Sequence, residues 1–368
     1  MAQGKSVLVI GGGPAGLAAA IAARKRGFQV TLADGAKPPI DKACGEGLMP
    51  GTVAALRELG ITIDSSEGQA FKGIRFLDES TSVEARFSGE GGAGVRRTVL
   101  HQKMVDRAAE CGVNLLWNTP VTGFCQDGAM LEGRLLRANW IIGADGIHSR
   151  VRRWSGLEAN LRPQFRFAQR RHYRVKPWTD CVEIYWGRSL QVYVTPLAAE
   201  ETCVVLLSRD PRMRFSEVGR RFPKLAERLA DAELSSVERG AATATCRLAR
   251  VYRGNVALTG DASGSVDAVT GEGLGLSFRQ AAALADALKT GKLEEYQSAH
   301  RRLARRPNIM ARLLSLLDHF APLRTRVLQG MAEDPDIFSR MLAAHTEEAS
   351  AVLLAGTSAR LGWQLLTA

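Results

Sequence analysis

Three glycines, Gly11, Gly13 and Gly16, stand in GxGxxG spacing within "VLVIGGGPAG" (Val7 to Gly16). The segment before them, "SVLVI", is β-branched and continuously apolar, as in a strand covered on both faces. The segment after them, "LAAAIAARKRG", predicts an alanine-rich helix that stops at Gly27. "FQVTLAD" then predicts a second strand ending at Asp34. In this setting each glycine has its own role. Gly11 permits a tight turn, Gly13 lets the backbone approach a pyrophosphate, and Gly16 lets the helix pack on the strand. Pro14 and Ala15 open the helix, whose unpaired amides and positive dipole end face the phosphates. Asp34 lies 23 positions after Gly11, close to where an acid that binds ribose hydroxyls is expected. A glycine turn without a ligand is the plainer alternative, but the strand–turn–helix–strand setting and the closing acid favour a dinucleotide cradle.

The uncharged run from Ser6 to Ala23 also invites comparison with a membrane span or a secretion signal. Three consecutive glycines, a proline and mostly alanine side chains gain little from lipid, and Arg24, Lys25 and Arg26 close the run at once. The expectation is a soluble, cytoplasmic protein. At 368 residues the chain exceeds what one core usually organises, so two domains are expected. A composition of 45% hydrophobic and 24% charged residues excludes a disordered chain. The formal charge of +11 favours anionic partners, although many enzymes are simply basic. Six scattered cysteines, with no CxxC and no zinc-spaced Cys/His cluster, predict free thiols and no structural metal.

Two later stretches narrow the choice of dinucleotide. "ANWIIGADGIHSRVRR" (Ala138 to Arg153) reads as a strand, the pair Asp145-Gly146, and a helix start at Ser149. "GNVALTGDASGSVDAVTGEGLGLSFRQAAALADAL" (Gly254 to Leu288) reads as a strand, Gly260-Asp261, a glycine-containing loop and a long helix. With GxGxxG, these ordered DG and GD motifs resemble the FAD-dependent oxidoreductases of the para-hydroxybenzoate hydroxylase superfamily, over roughly residues 5–290. That group includes aromatic hydroxylases, flavin-dependent halogenases and geranylgeranyl reductases.

The resemblance implies a Rossmann-like, glutathione-reductase-type FAD-binding α/β domain, interleaved with an antiparallel β-sheet substrate domain and followed by a helical C-terminus. The expected FAD-binding pieces are 1–75, 96–155 and 250–288, the substrate domain 76–95 and 156–249, and the helical region 289–368. It also implies site residues. Asp261, after Gly260, would contact the ribityl and pyrophosphate region. Gly271, Gly273 and Leu274 would lie where a helix faces the flavin's pyrimidine edge. Asp145 and Gly146 would sit between FAD and an approaching NADH or NADPH, with "SRVRR" mildly favouring a phosphorylated ribose. Arg97 in "RRTVLHQKM" would lie near the FAD phosphates or ribose, with Arg96 competing for the role. Lys42 joins these cofactor-binding candidates.

"DKACGEGLMP" (Asp41 to Pro50) and "TGEG" (Thr270 to Gly273) look like geranylgeranyl reductase segments. "LQVYVTPL" matches the reductases' aromatic-rich sheet only loosely, through Tyr193 and Pro196, and the halogenase WxWxIP signature is absent. Two chemistries remain. The first expectation is an NAD(P)H-consuming monooxygenase acting on a hydrophobic small molecule, phenols included, which requires no protein base. The alternative is reduction of C=C bonds in a prenyl or lipid substrate, with Cys44 or Glu46 as the proton donor. Cys44 as a small buried hydrophobe and Glu46 as a loop carboxylate bonded to backbone amides stay open beside that reading. A non-catalytic flavin-binding protein is the third and weakest reading. Tyr185, Trp186 and Tyr193 are candidate substrate contacts on alternating strands.

"RFSEVGRRFPKLAERLADA" predicts one amphipathic helix. Past Gly291 the chain reads as helical and basic, with His300, Arg301, Arg302, Arg305 and Arg306 clustered. An acidic carrier protein, a membrane surface, or merely water would suit that cluster. No aromatic-interleaved basic stripe suggests nucleic acid.

Overall fold

A computed structural model describes residues 5–125, 127–158 and 164–346. The end of the expected helical region 289–368, including Ala351 to Leu366, lies outside the described residues.

The first strand, Ser6–Ile10, is buried from Val7 onward and lies centrally in a six-stranded sheet. It pairs in parallel with Gln29–Ala33 on one side and Trp140–Gly143 on the other. Asn114–Leu116 extends the sheet at one end, Val256–Leu258 and then Tyr252–Arg253 at the other. The helix Pro14–Lys25 starts with proline in its first turn, where the missing amide costs nothing. It packs against the long helix Gly273–Thr290. Alanines 18, 19, 20, 22, 23, 281 and 285 make that contact close, and Leu284 and Leu288 fill the rest of the core.

The second body is an eight-stranded sheet. It runs in the order Gly264–Ser265, Arg239–Arg247, Gln164–Tyr173, Glu201–Ser208, Leu190–Ala198, Cys181–Gly187, Gly73–Leu77 and Ser82–Arg86. All its pairs are antiparallel except Cys181–Gly187 with Gly73–Leu77. The sequence alternates here as a one-sided strand would, yet every residue of Cys181–Gly187 is buried. The cause is cover on both faces. Tyr185, Val192 and Val194 pack under Phe215, Phe222 and Leu225 on one side. Val182, Ile184 and Trp186 pack under the C-terminal helices on the other.

The predicted helix after Arg214 is instead two short ones, Ser216–Arg221 and Pro223–Leu229. Phe222 breaks it at φ −130°, ψ 71°, because a residue before proline is pushed out of the helical region. Beyond Gly291 the chain forms helices Leu293–His319, Ala321–Glu333 and Pro335–Thr346, the first running through Pro307. None of the described helices is long and apolar enough to cross a membrane.

Candidate active site

The three glycines of the opening motif behave differently in space. A Cβ on Gly16 would lie 1.8 Å from the Gly11 carbonyl oxygen, and one on Gly11 would lie 2.4 Å from the Ala144 oxygen. These two allow helix and strands to touch. Gly13 has nothing within 4 Å of its Cβ position, so it fronts open space at the helix start. Gly260, at φ +58°, brings the Asp261 turn over this loop, where a Cβ would come within 2.5 Å of Ala15.

Of the other expected cofactor residues, Asp34 is tied to the glycine loop and Lys42 faces the Asp261 turn. Asp34 is half-buried, accepting from the Gly12 and Ala36 amides. Lys42 Nζ lies 4.0 Å from Asp261 Oδ2, with both side chains nearly half exposed. Arg96 and Arg97 part company. Arg96 is bound to Glu201 and Ser235, whereas the buried Nε of Arg97 has no hydrogen-bond partner among the described residues. That leaves Arg97 as the arginine available to a ligand. His101, one turn further, holds the Gly12 carbonyl oxygen at 2.8 Å, and burial keeps its pKa below the usual value. Asp145 acts locally. It accepts from the Ser149 hydroxyl and the amides of Arg150 and Val151, anchoring the start of helix Arg150–Trp154. Gly146, beside it, has no atom within 4 Å of its Cβ position. His148 is exposed.

Gly271 and Gly273 likewise border open space, at the N-terminus of helix Gly273–Thr290. The first-turn amides there, Gly273 and Leu274 included, have no partner within the helix and favour negative charge. An open glycine cradle, an orphaned buried guanidinium nitrogen and this second helix start fit a dinucleotide carrying an electron-accepting ring.

Beyond the second helix start lies an apolar cavity of about 120 Å3 that opens to solvent. Ile74, Phe76, Val182, Ile184, Tyr193 and Thr195 form its sheet wall, Gly45, Gly47 and Met49 one loop edge, and Val269 to Gly271 another. Met310 and Leu314 come from helix Leu293–His319, and Phe338, Met341, Leu342 and His345 from helix Pro335–Thr346. Sequence reasoning misses these helical residues. Their only trace there is an apolar spacing of three and four positions, which any packed helix shows.

The three aromatic candidates separate. Tyr193 lines the cavity, and its hydroxyl donates to the Val269 carbonyl at 3.0 Å. Burial holds its pKa well above the ordinary tyrosine value. Trp186 lies one layer back, stacked on Phe76 with ring centres 5.1 Å apart. Tyr185 faces the opposite side of the sheet, where its hydroxyl donates to Glu183, so it is not a cavity contact. The period of two makes this unavoidable: Ile184 pairs with Tyr193, and Tyr185 with Val192.

Cys44 and Glu46 are also turned away from the cavity; neither lines it. The Cys44 thiol accepts from the Glu46 amide at 3.4 Å. Glu46, at φ +58° and 2% exposed, points into the protein. Its carboxylate accepts from the Arg97 amide, from Arg170 Nη1 at 3.1 Å and from His172 Nε2 at 2.6 Å. Arg170 in turn binds Asp41, whose pKa its guanidinium hydrogen bonds hold below the usual carboxylate value. Cys203, buried and therefore weakly acidic, completes a group with Glu46 and His172 whose ligand atoms lie within 4.8 Å of one another. Arg170 already supplies the positive charge there, which disfavours a metal cation. Glu46 thus fixes the loop and is not placed to protonate a cavity ligand.

Residues 5–303 match the family described as "FAD binding domain". The chain belongs to that family. A menaquinone reductase of Mycolicibacterium smegmatis is 27% identical to this flavoprotein over 322 residues, spanning 80% of this chain and 78% of that one. A putative FAD-dependent monooxygenase of Bacillus subtilis is 27% identical over 249 residues, spanning 61% and 66%. Among solved structures, a geranylgeranyl bacteriochlorophyll reductase-like protein of Thermoplasma acidophilum superposes with a TM-score of 0.75 at 20% identity, covering 99% of this chain and 98% of that one. That likeness concerns the fold alone. The flavoprotein is an FAD-dependent oxidoreductase.

Proposed function

We propose that this flavoprotein reduces a carbon–carbon double bond in a prenyl or other lipid chain, with NADH or NADPH as the electron source. The observation that carries the reading is the cavity: a groove walled by methionine, phenylalanine and branched aliphatic side chains, with no arginine, lysine or carboxylate on its lining among the described residues. Such a groove removes water from a long apolar chain and offers no counter-charge to a polar one. Its methionines, Met49, Met310 and Met341, adapt to an irregular chain.

FAD, when bound, supplies a hydride to one carbon of the double bond, and the other carbon then needs a proton. His345 and Tyr193 are the titratable residues lining the cavity among the described residues. Tyr193 holds its proton toward the Val269 carbonyl. His345 Nε2 lies 3.3 Å from the Thr270 carbonyl and 3.7 Å from Glu272 Oε1, at the loop that leads to helix Gly273–Thr290. His345 is the imidazole at the cavity edge, so it takes the donor role that the sequence suggests for Cys44 or Glu46.

The test is anaerobic single turnover of the pre-reduced enzyme with polyprenyl substrates, menaquinone among them, read by mass spectrometry as a gain of two hydrogens. His345→Gln should lower that rate roughly 100-fold, the ordinary worth of a general acid, while flavin reduction by NAD(P)H stays intact. Hydroxylation of a hydrophobic small molecule, phenols included, is the second reading, favoured by the Bacillus subtilis relative. Product formation only with dioxygen, and gain of one oxygen atom, would replace the first reading by the second.

A further inference from the structure

The helix Leu293–His319 has two useful sides. Met310 and Leu314 turn inward and line the cavity. Outward, Ile309, Leu313, Leu316 and the C-capping Phe320 are 44%, 41%, 49% and 57% exposed. Their spacing of four, three and four residues puts all four in one narrow stripe along the helix. Exposed Arg302 and Arg305 continue the stripe toward the N-terminus, and exposed Arg312 flanks it. His300, grouped with these arginines by sequence, is not part of the surface. It is buried against the Ser263 hydroxyl, and burial lowers its pKa to about 4.

From Arg302 to Phe320 this face extends about 27 Å, at 1.5 Å per residue. One half is cationic and the other is apolar. Water alone would suit the first half but not the second, because a row of exposed leucine, isoleucine and phenylalanine has a standing cost in solvent. An acidic protein would answer the arginines and leave the apolar row unexplained. An anionic bilayer answers both: phosphates meet the guanidinium groups while the apolar half sinks into the boundary between headgroups and acyl chains. The chain's formal charge of +11 draws it to such a surface.

We infer that this helix face seats the protein on the surface of an anionic phospholipid membrane, lying in the interface without crossing it. The cavity is then one helix thickness from the lipid phase. The inference does not depend on which reaction the flavin performs.

The test uses the full-length, flavin-loaded protein, sedimented with phosphatidylcholine vesicles and with vesicles containing phosphatidylglycerol, at low and at high salt. Binding is expected with phosphatidylglycerol and should weaken as salt rises. Arg302→Gln/Arg305→Gln/Arg312→Gln should weaken it by roughly fivefold per arginine, on the order of 100-fold in all. Leu316→Ser/Phe320→Ser should weaken it at both salt concentrations, including the residue of binding that survives high salt. All five positions are exposed, so flavin content and melting temperature should not move, and these serve as the folding control. Three results would overturn the inference. One is no vesicle binding at either salt. Another is binding that Leu316→Ser/Phe320→Ser leaves intact, which marks adsorption to any polyanion. The third is a change from dimer to monomer in Leu316→Ser/Phe320→Ser without vesicle binding, which marks contact between two copies of the chain.

Discussion

Replacing Gly13 by alanine separates a glycine kept for a ligand from one kept for the fold. Gly13 adopts φ −71° and ψ 175°, an extended conformation open to any residue, and its added methyl would meet nothing within 4 Å. Alanine is a clearly poorer helix N-cap than glycine, and the stiffer unfolded chain offsets part of this, so the apo-protein should shift by about 1 kcal/mol or less. The same methyl would occupy the space where the pyrophosphate approaches the backbone. A hydrogen bond to a charged group is worth about 1.5–3 kcal/mol, so loss of one weakens FAD binding about 10- to 100-fold. Gly16→Ala is the contrasting control. Its Cβ would lie 1.8 Å from the Gly11 oxygen, and overpacking of that kind costs about 1–3 kcal/mol or more in stability before any ligand is present. Flavin fluorescence titration of the apo-protein and thermal denaturation read the two quantities separately. An FAD affinity of Gly13→Ala within about twofold of the parent would refute the assignment of this loop to the pyrophosphate. So would apo-protein losses of equal size in the two variants.

Other expectations concern buried groups. His300 is neutral in the fold with a pKa of about 4, below the ordinary 6.5, so the unfolded chain takes up the proton first. Its contribution is complete above about pH 6.5 and is lost as pH falls toward 4. That amounts to about 2 kcal/mol between pH 7 and 5, and His300→Asn should flatten this part of a urea-denaturation profile. Glu46→Gln removes one side of a buried ion pair with Arg170 and alters the hydrogen bond with His172. It should cost about 3–5 kcal/mol, and an unchanged denaturation midpoint would contradict the clamp. Tyr185→Phe should leave KM for an apolar substrate unchanged and lower stability by about 1–3 kcal/mol through the lost bond to Glu183; a raised KM would place Tyr185 back in the cavity.

What the sequence discloses follows the range over which each signal acts. The cradle is legible because strand, glycine turn and helix are adjacent, and steric demands at Gly11, Gly13 and Gly16 are local. The pairings of Lys42 with Asp261 and of Gly260 with Ala15 rest on motif order. The strand Gln164–Tyr173 is hidden by its own chemistry. Arg166, Arg170 and His172 point inward toward Asp267, Asp41 and Glu46, so the strand reads as polar although its charged face is the buried one. Tyr185 is misplaced when its strand is read as a patch of aromatic character, without assigning the two faces. His345 carries no local mark, and the helical cavity residues carry only the apolar spacing that any packed helix shows. Their role arises only when the C-terminal helices fold back over the sheet, which no spacing announces.

Glu46 joins parts that the chain order keeps far apart. Its carboxylate grips a strand of the eight-stranded sheet through Arg170 and His172, while Gly45 and Gly47 on either side form a cavity edge and the Arg97 amide ties it to the helix below the glycine loop. A displacement of that strand therefore carries the loop and the base of the helix with it. Cofactor seat and apolar groove are in this way fastened to a single rivet, so the distance between a ring bound on one and a chain bound in the other is set by the scaffold before either arrives.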